Sequence, residues 1–580
     1  MFLALASPAF AELASVSDRV AEQNKLFDEF YETGLKNSPE RATSYGDYRY
    51  NALLGQYSLA EIARQHAEAD EFLKRLHAIP TDGMSDTDLL SHQLLERQLQ
   101  REDVNYSLKN FEMPVNQQNG VHTHLADLAL AMPFDSVQHY QDYIARLHQV
   151  PRVLAQVTEV LRQGLKDGLM PPKLVLDKLP AQADGIVAAN PFLRPTTKFP
   201  TDFSDADKKK LTEEITQAVN DDVFPAYKKF AEFLRKEYDP KGRTELSIES
   251  LPDGKRRYAE AVKMMTTTNF TPDEVHEIGL KEVARITEEM TKLAHAQGKK
   301  DLASFRDAIN NDAKWKPTSE QQIVNDFAKY IHQMEPKLPE LFGLLPKAPV
   351  TVEAIPDFAK AEATHYVSGT PDGKRPGRVV VAVSDPTKRT LVLDEAVAYH
   401  EGVPGHHMQI SIAQTLEGLP KFRLHGGYSS YAEGWALYAE ELGKEIGFYQ
   451  DPVSDYGRLN SELFRAVRLV VDTGIHDKNW SREKVIEYMH ANDVNDAVAQ
   501  TETDRYIAWP GQALAYKMGQ LTIRKLRDEA KAQLGPKFDI KAFHDEILDG
   551  GAMPLDLLQE RVERWIKAQG TGTSTPDAAK

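Results

Sequence analysis

The chain has no cysteine, no run long enough to cross a bilayer, no surplus of positive charge and no repeat of fixed period. Without cysteine, disulfides and thiolate-held zinc are excluded, so any bound metal must take His, Asp or Glu. A membrane helix needs about 20 consecutive apolar residues, and nothing in the chain approaches that, so no membrane span is expected. The net charge is −17 and no Lys/Arg-rich stripe offsets it, which argues against a nucleic-acid partner. Strand signals are scarce as well. β-branched runs bounded by Pro and Gly occur in one region, Val350–Pro356 and Gly377–Val383, with turn chemistry between them at 370–377.

What is present is helical. The chain has 580 residues, enough for a large core. Apolar residues recur at helical spacing from Ser15 to about Asn110, and Ser136–Leu147 and Pro151–Gly168 continue the pattern. Ser204–Tyr238 reads as one long helix. Thr271–Gln297 is another, opened by Thr271-Pro272-Asp273-Glu274: a cap, a proline at the first position and a glutamate at the third. After the strands, helices are expected at Ser429–Gly443, Pro452–Gly474, Ser481–Ala491, Asp493–Ile507 and Gln512–Leu534. The first eleven residues form a short apolar run ending in Ala9-Phe10-Ala11, without the usual basic segment before it. That pattern predicts an exported protein cleaved before Glu12, periplasmic in a Gram-negative host. Residues 569–580 have the composition of a disordered tail.

The chemistry centres on Tyr399-His400-Glu401-Gly402-Val403-Pro404-Gly405-His406-His407-Met408-Gln409. Two imidazoles beside a carboxylate suit a zinc hydrolase, with the imidazoles for the metal and the carboxylate to take a proton from water. The spacing is unusual. The position four after His400 is Pro404, which cannot ligate. On a straight helix His407 would lie roughly 10 Å along the axis from His400, too far to share an ion. Pro404 cannot donate to the carbonyl of His400 and Gly405 tolerates unusual dihedrals, so the helix is expected to break there and loop His406 or His407 back. For a third ligand, Tyr431-Ala432-Glu433 through Glu440 is the best segment. Glu433 and Glu440 are seven apart on one face of an apolar helix, and a buried glutamate needs a partner or a metal. Glu433 is expected as the ligand and Glu440 as its support. Oxyanion donors are sought among His476, Arg505, Tyr506 and Tyr516. Glu362-x-x-His365 and Glu487-x-x-His490 fit the di-iron carboxylate pattern. The first falls in strand sequence, where i and i+3 point to opposite faces.

These motifs together resemble the bacterial "domain of unknown function 885" family, a set of proteins similar to zinc metallopeptidases. The matching residues are the 400–409 stretch, Tyr431 to Tyr438, Asp472 to His476, Arg505-Tyr506 through Gln512 to Tyr516, Asp372 to Gly377, and Thr266 to His276. The resemblance implies a mainly α, two-lobed fold around a deep cleft, like that of thimet-oligopeptidase and angiotensin-converting-enzyme type peptidases, with the small β-sheet beside the metal-site helix. It implies an N-terminal helical lobe over 12–240 and a catalytic lobe over 241–568. It further implies one zinc ion held by His400, His406 and Glu433. On this reading the protein hydrolyses short peptides. Glu401 is the general base for the zinc-bound water, and His476, Tyr506 and Tyr516 stabilise the oxyanion. Val379–Val383 is expected as an edge strand that pairs with extended substrate. Arg375, Val380, Ala382, His407 and Arg505 are then the substrate contacts. Two other readings use the same cleft: a periplasmic peptide- or ligand-binding protein with a structural zinc, and a zinc amidase or esterase. The base Glu401 argues against a purely structural zinc.

Overall fold

Short polar side chains mark where helices begin. Ser15, Ser58 and Ser85 each accept the N–H three residues on, opening α1 (Val16–Asn37), α2 (Leu59–His77) and α3 (Asp86–Ser107). Thr271 and Glu274 close a reciprocal capping box at the start of α4 (Pro272–Ala296), as the local sequence predicts. In the computed structural model, which describes residues 14–355, 363–370, 373, 375–386 and 389–571, the fold is mainly α with one small sheet. The stretch Ser204–Tyr238 is not one regular helix. Its first α-helical part widens to a π-helical turn at Val219–Val223 before resuming at Phe224. Pro225, with no N–H to give the preceding turn and a ring that crowds it, accounts for the widening. The last helix, Leu555–Thr571, runs past the start of the expected tail. Residues 1–13, which include the expected leader, and residues 572–580 lie outside the described residues.

The sheet has the order β1 (Val350–Ala354), β3 (Gly377–Val381), β2 (His365–Val367). β1 and β3 are parallel, with Val350 opposite Gly377, and β2 is antiparallel to β3, with Tyr366 opposite Val379. β3 is therefore the central strand, not the edge strand expected. Val380 is paired to Glu353 on one side and His365 on the other. Beyond it, the Ala382 N–H donates to Thr364 Oγ1 at 3.0 Å and its carbonyl accepts from Arg389 at 2.6 Å. Neither Val380 nor Ala382 has backbone left for a peptide. The sequence carries a sign of this. Val379, Val380 and Val381 are an unbroken apolar run with every side chain buried, which is the pattern of a strand covered on both faces.

The apolar interior divides. One cluster is drawn from Leu54 to Tyr238. A larger one runs from Ile286 to Ile566 and takes only Leu90, Leu94 and Val175 from the first half. The larger core carries α5 (Glu320–Met334), the sheet, and then α6 (Asp394–Glu401), α7 (His406–Gln414), α8 (Ser429–Glu445), α9 (Pro452–His476), α10 (Asp496–Ala508) and α11 (Ala515–Leu534). Among the described residues no helix is long and apolar enough to cross a membrane.

Candidate metal centre

The break between α6 and α7 is local chemistry. α6 ends at Glu401 and α7 begins at His406, with Gly402–Gly405 between them. The Gly405 N–H folds back onto the Tyr399 carbonyl at 3.0 Å. A Cβ on Gly405 would stand 2.0 Å from the His400 carbonyl oxygen, so only glycine allows the turn to close so tightly. From the other side, Trp435 on α8 donates its indole N–H to the Pro404 carbonyl at 2.9 Å. Trp435 is fully buried, and burying roughly 200 Å2 of aromatic surface stabilises by roughly 5 kcal/mol. That, with fully buried Tyr431 and Tyr438, offsets the cost of placing carboxylates on the same helix.

The folded-back turn brings His406, not His407, to His400. Their rings lie 4.8 Å apart and nearly perpendicular. Glu433 Oε2 is 3.4 Å from His400 Nε2 and 3.5 Å from His406 Nε2. A tetrahedral ion with bonds of about 2.1 Å separates its ligand atoms by about 3.4 Å, so these three groups fit zinc. Burial opposes ionisation of Glu433, but the two imidazoles hold its carboxyl well below the usual range. Burial likewise opposes the charged form of His400, yet Glu433, Glu440 and Glu401 outweigh it and raise the imidazole to about 9. Glu440 accepts the His400 Nδ1–H at 2.8 Å, which fixes the tautomer that turns Nε2 toward Glu433. Glu401, on the last turn of α6, is 9% exposed and has no hydrogen-bond or ion-pair partner among the described residues. A second grouping of His and carboxylates among the described residues, His66 with Asp70 and Asp103, has both aspartates exposed and lacks this enclosure.

Tyr516 stands within the electrostatic reach of Glu433. Helices α8 and α11 cross in backbone contact: a Cβ on Gly434 would meet Gly519 Cα at 2.4 Å, and one on Gly519 would meet the Ser430 carbonyl oxygen at 2.0 Å. This crossing sets the first turn of α11 next to Glu433. Burial raises the Tyr516 hydroxyl, and the Glu433 charge raises it further. Arg468 lies 4.5 Å from the centre of the Tyr516 ring.

The other expected residues are placed differently. His476 is fully buried. Its Nδ1 accepts the Ile248 N–H at 3.1 Å and its Nε2–H donates to the Tyr506 carbonyl at 2.9 Å, so it has nothing left for an oxyanion. Burial pushes it down to about 3. The Tyr506 hydroxyl donates to Glu502 at 2.7 Å and accepts from Arg468 at 3.0 Å. Arg505 grips the same Glu502 carboxylate at 2.8 and 2.9 Å and donates to Gln512. Arg505 and Tyr506 thus form a closed network behind Tyr516 instead of meeting substrate. His407 is turned away from His400: its Nε2–H donates to the Ala348 carbonyl at 3.1 Å and its Nδ1 accepts from the Tyr366 hydroxyl at 3.1 Å, tying α7 to the sheet. It is not free to bind substrate. Arg375 stays on an exposed turn, its N–H donating to Thr370 Oγ1 at 3.0 Å. Of the decoy pairs, Glu362 lies outside the described residues, and His490 lies at the partly exposed end of its helix, 3.2 Å from Asp496.

Sequence reasoning missed Trp435 as the clamp on the turn and Glu502 as the hub of the network. Glu502 had a signal: it lies one helical turn before Arg505 and Tyr506, where side chains meet. Asp472 has a structural place. It accepts from Tyr258 at 2.7 Å and from the Gly511 N–H at 3.0 Å, anchoring the turn that leads into α11, where Gly511 takes the left-handed region with φ +81°.

Comparisons place this geometry among known proteins. A crystal structure described as that of a "putative lipoprotein" from Colwellia psychrerythraea is 29% identical, covers 96% of this chain and all of its own, and superposes with a TM-score of 0.86. A second, a "putative lipoprotein of unknown function" from Shewanella oneidensis, is 18% identical over 94% of this chain and 99% of its own, with a TM-score of 0.74, and shares the fold. No curated protein matches. The family profile described as "Bacterial protein of unknown function (DUF885)" matches residues 39–562, and the chain therefore belongs to that family.

Proposed function

We propose that the protein is a zinc-dependent peptidase acting on short peptides. The observation that carries this reading is the convergence of His400, His406 and Glu433, whose ligand atoms all lie within 4.8 Å of one another, beside a carboxylate, Glu401, that has no hydrogen-bond or ion-pair partner among the described residues. A zinc ion held there supplies Lewis acidity, acidifying water and polarising a carbonyl oxygen. Glu401 takes the proton from the attacking water and passes it to the leaving amine nitrogen. Tyr516 donates its hydroxyl to the oxygen on which negative charge develops. Glu440 keeps His400 in one tautomer, and the Glu502 network holds the arginines behind the Tyr516 ring.

Export is part of the proposal. The apolar run ending at Ala9-Phe10-Ala11 supports it, and so does the description of the 29%-identical Colwellia psychrerythraea protein as a "putative lipoprotein". The test is a mass-spectrometric digest of a peptide library, with and without a chelator, on the protein and on Glu401→Gln. Chelator-sensitive cleavage that disappears in Glu401→Gln is expected. Zinc present without cleavage of any peptide overturns the reading in favour of a binding protein.

A further inference from the structure

The two imidazoles of the candidate metal centre are supported unequally. His400 gives its Nδ1–H to Glu440 at 2.8 Å, which leaves Nε2 facing Glu433. His406 Nε2 lies 3.5 Å from the same Glu433 oxygen, but the buried Nδ1 behind it has no hydrogen-bond partner among the described residues. An imidazole that binds a metal gives its second N–H to an acceptor, which fixes the ring's orientation and tautomer. The acceptor for His406 is therefore to be sought among its neighbours on α7.

Gln409 stands three residues after His406 on α7, a spacing at which helical side chains are neighbours. Side chains on a helix lean toward its N-terminus, so that of Gln409 extends toward the turn that His406 occupies. Ile410, the neighbour on the other flank, has no acceptor to offer. Ser411, whose buried hydroxyl is also without a partner, lies about 140° round the helix from His406. Gln409 is 4% exposed, and its side-chain amide makes no hydrogen bond among the described residues, with Oε1 wholly buried. Its main chain needs no help from that amide, because the Gln409 N–H already donates to the Gly405 carbonyl at 3.1 Å. A buried amide left unpaired destabilises a fold, so its presence calls for an account. A neutral acceptor also suits the place. Glu401, Glu433 and Glu440 already act together on His400, and a further carboxylate would add negative charge beyond what a divalent ion balances.

We propose that Gln409 is the positioning residue of His406: a rotation of its side chain lets Oε1 accept the His406 Nδ1–H and so hold Nε2 toward the metal, as Glu440 does for His400. The inference rests on the zinc site of the reading above and not on peptide cleavage. Gln409→Leu and Gln409→Glu are compared with the unmodified protein by three measurements that need no turnover. These are zinc affinity by competition with a chromogenic chelator, thermal melting without zinc, and nitrogen–proton correlation NMR of the histidine rings with zinc bound. Leu keeps the bulk of the side chain and removes the acceptor. Gln409→Leu is expected to bind zinc about 10–100-fold more weakly. Without zinc its melting temperature is expected to hold or rise, because an apolar group has replaced an unpaired buried amide. The exchange-protected His406 Nδ1–H of the unmodified protein is expected to vanish in Gln409→Leu, while that of His400 stays. Gln409→Glu is expected to recover most of the affinity and the His406 proton. Unchanged zinc affinity in Gln409→Leu overturns the proposal and leaves the three-ligand site in place. A fall in melting temperature that accompanies the loss of affinity, with the His406 proton retained, makes Gln409 structural and overturns it too. Absence of that proton from the unmodified zinc-loaded protein overturns it without any variant. No zinc in the unmodified protein removes the metal centre and this proposal with it. Zinc affinity that depends on Gln409, without cleavage of any peptide, keeps the proposal and removes the peptidase reading.

Discussion

Two sets of buried histidines in this chain resolve their burial in opposite ways. His476, His407 and His544 each have both ring nitrogens engaged: His476 by Ile248 and Tyr506, His407 by Ala348 and Tyr366, and His544 by Leu341 and Tyr438. Burial holds them neutral, pushed down to about 3, 4 and 3. His400 has one nitrogen on Glu440, and its other nitrogen converges with His406 Nε2 on a single Glu433 oxygen. The buried Nδ1 of His406 has no hydrogen-bond partner among the described residues. A histidine with both nitrogens engaged belongs to the fold. One with a nitrogen left over, aimed at a point shared with two other ligand atoms, is a candidate ligand. The tyrosines differ as well: Tyr506 is closed on Glu502 and Arg468, whereas Tyr516, among the described residues, meets only Gln512 through its hydroxyl and lies within the field of Glu433.

The contrast can be broken most severely at His406, a proposed ligand. His406→Ala is expected to lower zinc affinity more than a hundredfold, since loss of a group one shell further out already costs about 10–100-fold. It is also expected to change the melting temperature of the metal-free protein little. Equilibrium dialysis against zinc and a thermal melt read the two effects. Glu401→Gln is expected to lower turnover about 10²–10⁴-fold with zinc content unchanged, read by peptide cleavage and metal analysis together. Wild-type turnover in that variant would remove Glu401 from the mechanism. Tyr516→Phe is expected to lower turnover about a hundredfold, while Tyr506→Phe acts mainly on stability. Equal effects of the two on turnover would erase the distinction between the two tyrosines.

Smaller effects test the closed set. His476→Ala removes two buried hydrogen bonds and leaves a void, so a loss of about 2–4 kcal/mol in urea unfolding is expected, with zinc affinity unchanged. Acid is the mildest probe. His476 and His544 are depressed from about 6.5 to about 3, so between those values the unfolded chain binds protons that the folded chain does not. Their contribution is complete above pH 6.5 and is lost as pH falls, by up to about 1.4 kcal/mol per histidine per pH unit. A urea midpoint that stays constant from pH 7 to pH 5 would contradict this.

What could be read in the sequence follows the range of the interactions. The break at Pro404-Gly405 depends on a missing N–H and a missing Cβ within six residues, and it stands in the letters. The cap at Thr271 and the helical character of the chain are equally local. Glu433 was accessible because an apolar helix with carboxylates seven apart implies burial on one face. The central place of β3 was harder to see, because the three-residue β2 beside it has almost no signal of its own. Whether His476 or Tyr506 faces the metal depends on partners 30 to 230 residues away, such as Ile248 and Arg468, which no spacing rule reaches.

The central claim is that His400, His406 and Glu433 form one zinc site from which His407 is excluded. Zinc per chain, measured by plasma mass spectrometry on purified protein, on His406→Ala and on His407→Gln, tests it most directly. One zinc in the first, almost none in the second and one in the third is the predicted result. No zinc in the unmodified protein, or zinc that survives His406→Ala and is lost with His407→Gln, would contradict it.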